Sequence, residues 1–101
     1  MPKTPERQVK DRITAELKRL GVYYFYPVTG GYGHSGIPDL VCCLDGHFLG
    51  IEVKAGNKRP TALQQAELDK ITVAGGYAWA VNAENIGLFF QWLQLHAKGK
   101  T

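Results

Sequence analysis

No stretch of this 101-residue chain is apolar for long enough to span a membrane, so a transmembrane helix is not expected. Cysteine is scarce, and the only two, Cys42 and Cys43, are adjacent. Neighbours on a strand point to opposite faces, so these two are not expected to pair with each other. They also lack a CxxC spacing, which argues against a zinc site. Two buried thiols in a reducing cytoplasm is the expectation. The N-terminal run Met1-Pro2-Lys3-Thr4-Pro5-Glu6 has no apolar core of a secretory signal. A P-loop is absent, which argues against NTP hydrolysis, and no Ser/His/Asp arrangement is visible. His34, His47 and His96 are scattered and read as ordinary polar residues. There is no internal repeat, low-complexity stretch or linker, so residues 1–101 are expected to form a single domain.

What is present fits a globular fold. The apolar share is 45%, an ordinary value for a chain able to bury a core. The net charge, 12 − 9 = +3, is mildly basic and compatible with a nucleic-acid partner. Three groups stand out among its cations: Lys10, Arg12, Lys18 and Arg19 in the first predicted helix, Lys58 and Arg59 shortly after Lys54, and Lys98 and Lys100 last.

The periodicity predicts seven elements in the order α-β-β-β-α-β-α, an α/β layout. A first helix runs from about Pro5 to Leu20, with Thr4 as N-cap, Pro5 in the first turn and Gly21 as its stop. Val9, Ile13, Leu17 and Leu20 form its apolar stripe, and Glu6 falls within that stripe. Val22 to Val28 reads as an aromatic-rich strand. The next eight residues, Thr29 to Gly36, contain four glycines and form a loop whose backbone N–H groups are able to approach a phosphate. A second helix spans about Thr61 to Ala74, where Thr61 and Gln64 fit a capping box and Gly75-Gly76 ends it. Gln64 shares a face with Leu68 and Ile71 and is expected to point inward. Tyr77 to Val81 is a strand, and a last helix covers roughly Ala83 to Ala97.

The most informative segment lies between. Gly36-Ile37-Pro38-Asp39-Leu40-Val41-Cys42-Cys43-Leu44 and His47-Phe48-Leu49-Gly50-Ile51-Glu52-Val53-Lys54 are two β-rich runs joined by Asp45-Gly46, a strong hairpin signal. If Leu44 pairs with His47, Asp39 lies opposite Glu52. Opposed like charges on one sheet face repel, and a divalent cation between them is the simplest reason for such a pair to persist. Lys54 shares the face of Glu52. Leu40, Cys42, Leu44, Leu49, Ile51 and Val53 occupy the other face. Both faces are largely apolar, so helices are expected to cover both. Two carboxylates suit Mg²⁺ or Mn²⁺, which prefer oxygen ligands and activate phosphoryl groups and water. Lys54 would orient that water or offset transition-state charge. Hydrolysis of a phosphodiester follows from these residue types.

Pro38-Asp39, followed after twelve residues by Glu52-Val53-Lys54, resembles the PD-(D/E)xK nuclease superfamily. The finer pattern is similar to the VRR-NUC family, especially its small stand-alone members from phages and bacteria. Gly36-Ile37-Pro38-Asp39 resembles the family's G-x-PD box. Thr61-Ala62-Leu63-Gln64 resembles its S-x-x-Q box with Thr for Ser, and Glu6 matches its N-terminal glutamate. The resemblance implies a restriction-endonuclease-like core, a mixed sheet flanked by helices. Asp39 and Glu52 would bind Mg²⁺ or Mn²⁺, with the Val53 carbonyl as a further ligand and Glu6 as another, direct or through water. Lys54 would be the catalytic lysine, and Gln64 would position the site. Small stand-alone members resemble Holliday-junction resolvases, which act as homodimers.

The function expected is therefore a metal-dependent, structure-specific DNA endonuclease that cuts four-way junctions as a homodimer in the cytoplasm of a bacterium or phage-infected host. A nuclease of flaps, nicks or single strands would use the same site, and a DNA-binding module without turnover is the reading from another class. Gly31, Tyr32, His34 and Ser35 in the loop, with Lys58 and Arg59, are the residues expected to touch DNA.

Overall fold

The computed structural model describes residues 2–28 and 35–97. Three helices flank one four-stranded sheet, in chain order α1 (Pro5–Arg19), β1 (Tyr23–Phe25), β2 (Leu40–Leu44), β3 (His47–Val53), α2 (Ala62–Val73), β4 (Tyr77–Val81) and α3 (Ile86–His96). Strand order follows the sequence, β1-β2-β3-β4. The first two pairings are antiparallel and β3–β4 is parallel, so the sheet is mixed, and the α/β layout and element order are those expected.

Local chemistry accounts for the helix ends. Thr4 Oγ1 accepts from the Arg7 N–H at 3.1 Å, capping α1. At its other end Val22 N–H donates to Leu17 O and Gly21 N–H to Lys18 O, with Gly21 at φ 72°. That is a Schellman stop. The same motif closes α2: Gly76 N–H donates to Ile71 O, Gly75 N–H to Thr72 O, and Gly75 has φ 100°. Thr61 and Gln64 form both halves of a capping box at its start. α3 begins later than the expected start at about Ala83. Asn82 Oδ1 accepts from the N–H groups of Glu84 and Asn85, folding residues 82–85 into a turn that delays the helix until Ile86. The first strand is also shorter than its aromatic run, because only Tyr23–Phe25 meets β2.

The β2–β3 hairpin has the expected register: Leu44 faces His47 and Leu40 faces Ile51. Asp45 and Gly46 both have positive φ, 51° and 85°, which matches the right-handed strand twist. α1 and α3 cover one face of the sheet. The core lies there, built from Val9, Ile13 and Leu17 of α1, Leu40, Leu49, Ile51, Val53 and Val81 of the sheet, and Phe89 and Leu93 of α3. Tyr77, Trp79 and Trp92 close its rim through edge and tilted ring contacts 5.1–5.4 Å apart. Phe89 is therefore fully internal and gives no surface to a partner.

α2 covers the other face only in part, over β3 and β4. It comes close because Gly50 has no side chain: a Cβ there would meet Ile71 Cδ1 at 2.7 Å and Pro38 Cγ at 3.1 Å. Beyond α2 this face is open. Phe48 is 50% exposed and Cys43 is exposed, which corrects the expectations that helices cover both faces and that both thiols are buried. None of the described helices is long and apolar enough to cross a membrane.

Candidate active site

The site lies where the start of β2 meets the end of β3, on the sheet face that α2 partly covers. Asp39 lies one residue before β2 and continues the hairpin register, which sets it across from Glu52. Its Oδ2 accepts the Val53 N–H at 2.7 Å. This bond replaces the ladder that stops at Leu40, and it anchors the Asp39 carboxylate against β3. In a strand the N–H and C=O of one residue point to the same side, so the Val53 carbonyl also faces Asp39.

Glu52 is the unusual residue. It is only 3% exposed and is one of two buried polar side chains among the described residues, the other being Thr14. Its Oε1 has no hydrogen-bond partner there. Lys54 Nζ stands 3.9 Å from Oε2, too far for a hydrogen bond but close enough for charge attraction. Burial, then the like charge of Asp39, push the Glu52 carboxyl up to about 8, with a smaller push from Glu6, while Lys54 opposes them. A buried, partly unpaired carboxylate beside a second carboxylate costs stability. Strained electrostatics of this kind cluster at functional sites.

Several expected residues converge here. Asp39, Glu52, Val53 and Lys54 adjoin one another, and Glu6, in the first turn of α1, is near enough to act on Glu52 electrostatically. The two sequence boxes also touch. Gly36, at φ 87°, packs against the first turn of α2 so tightly that a Cβ would lie 2.7 Å from Leu63 O and 3.2 Å from Gln64 N. Gln64 faces inward with Leu68 but its Oε1 accepts from the Thr61 N–H at 2.9 Å, so this side chain serves the helix cap. Lys58 and Arg59 are exposed on the segment after β3, and Ser35 is exposed in the turn before Gly36. Gly31, Tyr32 and His34 lie outside the described residues.

The donor set fits a hard divalent cation. The orphaned Glu52 Oε1, the Asp39 carboxylate and the Val53 carbonyl are all oxygen donors, the kind Mg²⁺ and Mn²⁺ prefer. Mg²⁺ characteristically takes one or two carboxylates and fills the rest of its shell with water and phosphate oxygens. No group of three or more His, Cys, Asp or Glu side chains among the described residues is arranged as a metal cage. Two carboxylates and a carbonyl would supply only part of such a cation's shell.

Asn82 and Asn85 were missed in the sequence. Asn85 Oδ1 accepts from the Asn82 N–H and its Nδ2 donates to Ala80 O, while Asn82 Nδ2 donates to Lys58 O at 3.0 Å. The signal was the pair of asparagines following a strand, a turn-forming pattern. The chain matches no protein-family model and no curated protein.

Proposed function

We propose that this chain is a Mg²⁺- or Mn²⁺-dependent endonuclease that hydrolyses phosphodiester bonds in branched DNA, a divergent member of the VRR-NUC group. The observation that carries the reading is Glu52: a buried carboxylate with an unpartnered oxygen, near enough to Asp39 to feel its charge and flanked by Lys54. Asp39, Glu52 and the Val53 carbonyl would hold the cation. When bound, it supplies Lewis-acid polarisation of a phosphoryl oxygen and acidification of water. Lys54 places a positive charge beside the phosphorus, where it orients the attacking water and offsets the charge that builds up. Water oxygen adds to phosphorus, one P–O ester bond breaks, and the departing sugar oxygen takes up a proton. Glu6, close enough to act on Glu52, would add negative charge to the same site. Gln64 acts through the α2 cap, holding the Gly36–Asp39 segment against the sheet.

A four-way junction needs two cuts, and one chain carries one such site, so the proposal includes a homodimer. The β1 edge supports it. Tyr23 is 69% exposed there, with Phe25 and Phe48 beside it, and among the described residues the edge strand has no neighbour on its outer side. Free thiols at Cys42 and Cys43 fit a cytoplasmic setting.

The test is cleavage of a labelled four-way junction, with duplex, flap and single-strand controls, by the wild type and Asp39→Ala in Mg²⁺, Mn²⁺ or EDTA. Paired, metal-dependent nicks in the junction that vanish in the variant are expected. Cutting of flaps or single strands alone would retain the site and discard the junction. Binding without any cutting would make the chain a DNA-binding module. A monomer in analytical ultracentrifugation at micromolar concentration would discard the dimer.

A further inference from the structure

The carboxyl ends of β3 and β4 point the same way, because the two strands are parallel. The segments that leave them, 54–60 and 82–85, enclose a cavity of about 430 Å³. Ala80 lines it and is the register partner of Glu52. Paired residues on neighbouring strands share a face about 5 Å apart, so the cavity opens one strand away from the carboxylates. Crevices beyond the carboxyl ends of parallel strands are where open α/β sheets take ligands, and the volume falls in the range of small-molecule sites.

Its walls are held from both sides. Lys54 N–H donates to Val81 O, Ala83 N–H to Gly56 O, and Asn82 Nδ2 to Lys58 O. The first continues the β3–β4 ladder, and the other two tie an otherwise irregular loop to the turn before α3. The loop presents Lys58 and Arg59, both exposed and both without an ion-pair partner among the described residues. Asn57, Gln65 and Glu84 supply polar groups around the same space. Cations lining a cavity that opens one strand away from the carboxylates are placed to take a phosphate adjoining the one at that centre. No aromatic ring lines the cavity, which leaves the Arg59 guanidinium plane as its stacking surface for a base.

We infer that this cavity is a nucleotide subsite: it takes one unpaired nucleotide next to the cleaved bond, with its phosphate on Lys58 and its base inside against Arg59. The inference rests on the nuclease reading for the position of the cut, but not for binding itself. A base stacked in a duplex cannot enter a cavity, so the substrate must carry an unpaired or extruded nucleotide beside the scissile phosphate. The geometry thereby narrows the DNA to junctions, flaps, bulges and single strands.

Two measurements on the full chain test this separately. The first is an amide-shift NMR titration with dAMP and, in parallel, inorganic phosphate. The expected result is saturable shifts at Asn57, Lys58, Arg59 and Gln65 with dAMP, weaker with phosphate. Lys58→Ala with Arg59→Ala should reduce the affinity about tenfold or more, the effect of losing a charge-assisted contact. No shift at these residues, or equal affinity for phosphate alone, overturns the subsite. The second is cleavage of a labelled duplex in which a single unpaired nucleotide is moved along one strand. A cut that follows it at constant offset supports the inference. Equal cutting of fully paired duplex overturns it and leaves the nuclease standing. Binding of dAMP without cleavage of any DNA supports the subsite and removes the nuclease.

Discussion

Along β3, neighbouring residues lead separate lives. Leu49, Ile51 and Val53 turn toward α1 and α3 and are sealed in the core, while Phe48, Gly50 and Glu52 turn toward α2. The first face is dry, aliphatic and aromatic. The second holds an exposed ring, a glycine that admits Ile71, and a buried acid with an unsatisfied oxygen. Alternation along a strand thus divides one seven-residue segment between stability and chemistry. The lesson is that one face stabilises the fold strongly enough for the other to carry an unfavourable carboxylate pair.

Substitutions on the two faces should separate these roles. Asp39→Ala should leave the thermal midpoint near that of the wild type and lower cleavage about a thousandfold or more, since cation-based stabilisation is worth several kcal/mol. Retention of most activity in a gel cleavage assay would remove Asp39 from the site. On the opposite face, Phe89→Ala should cost about 3–5 kcal/mol in denaturant unfolding, because a fully buried ring leaves a cavity. A loss under about 1 kcal/mol would mean that this face is looser than its packing suggests.

Glu52 allows a subtler comparison. Its carboxyl is raised from 4.5 to about 8 in the fold. The folded chain therefore holds a proton that the unfolded chain has released, and stability is full below the unfolded value. It falls as pH rises toward about 8 and levels off beyond. Glu52→Gln should flatten this slope and be the more stable protein at pH 9, by on the order of a few kcal/mol. Mg²⁺ should raise the wild-type melting temperature most at alkaline pH, where the cation no longer competes with that proton. A wild-type melting curve that does not move between pH 5 and about 9, with or without Mg²⁺, would contradict the raised value.

The smallest effect concerns adjacent thiols on the two faces. Cys42 is buried, which pushes its thiol up to about 12, while Cys43 is exposed. In a thiol-titration assay the native protein should react at Cys43 and release Cys42 only on unfolding. Cys43→Ser should change stability by less than about 0.5 kcal/mol. Two equally reactive thiols in the native state would show that the β1–β2 edge opens readily.

Much of the site was legible because its determinants are local. Asp45-Gly46 selects a two-residue turn, the turn sets the register, and the register brings Asp39 to Glu52. Thr4, Gly21 and the Thr61–Gln64 pair act within four residues of the ends they cap. Other features were hidden for an equally physical reason. Val22 to Val28 has strand-like residues throughout, yet strand length depends on how far a partner extends, and β2 meets only Tyr23–Phe25. The last helix was expected from about Ala83, but Asn82 and Asn85 took the backbone into a turn first. Cys43 belongs to the face that α2 leaves open, and a helix's placement is not written in the strand it fails to cover.

The sequence by itself determined the elements, their caps, the hairpin register and the meeting of two acids with a lysine, because turns, caps and strand alternation are settled by near neighbours. Only the tertiary structure decided that Glu52 is buried with a free oxygen, that part of the α2 face stays open, and that the loops after β3 and β4 join around a cavity. Burial and enclosure depend on which distant elements pack together, and Gly50 and Gly36 permit that approach without announcing it.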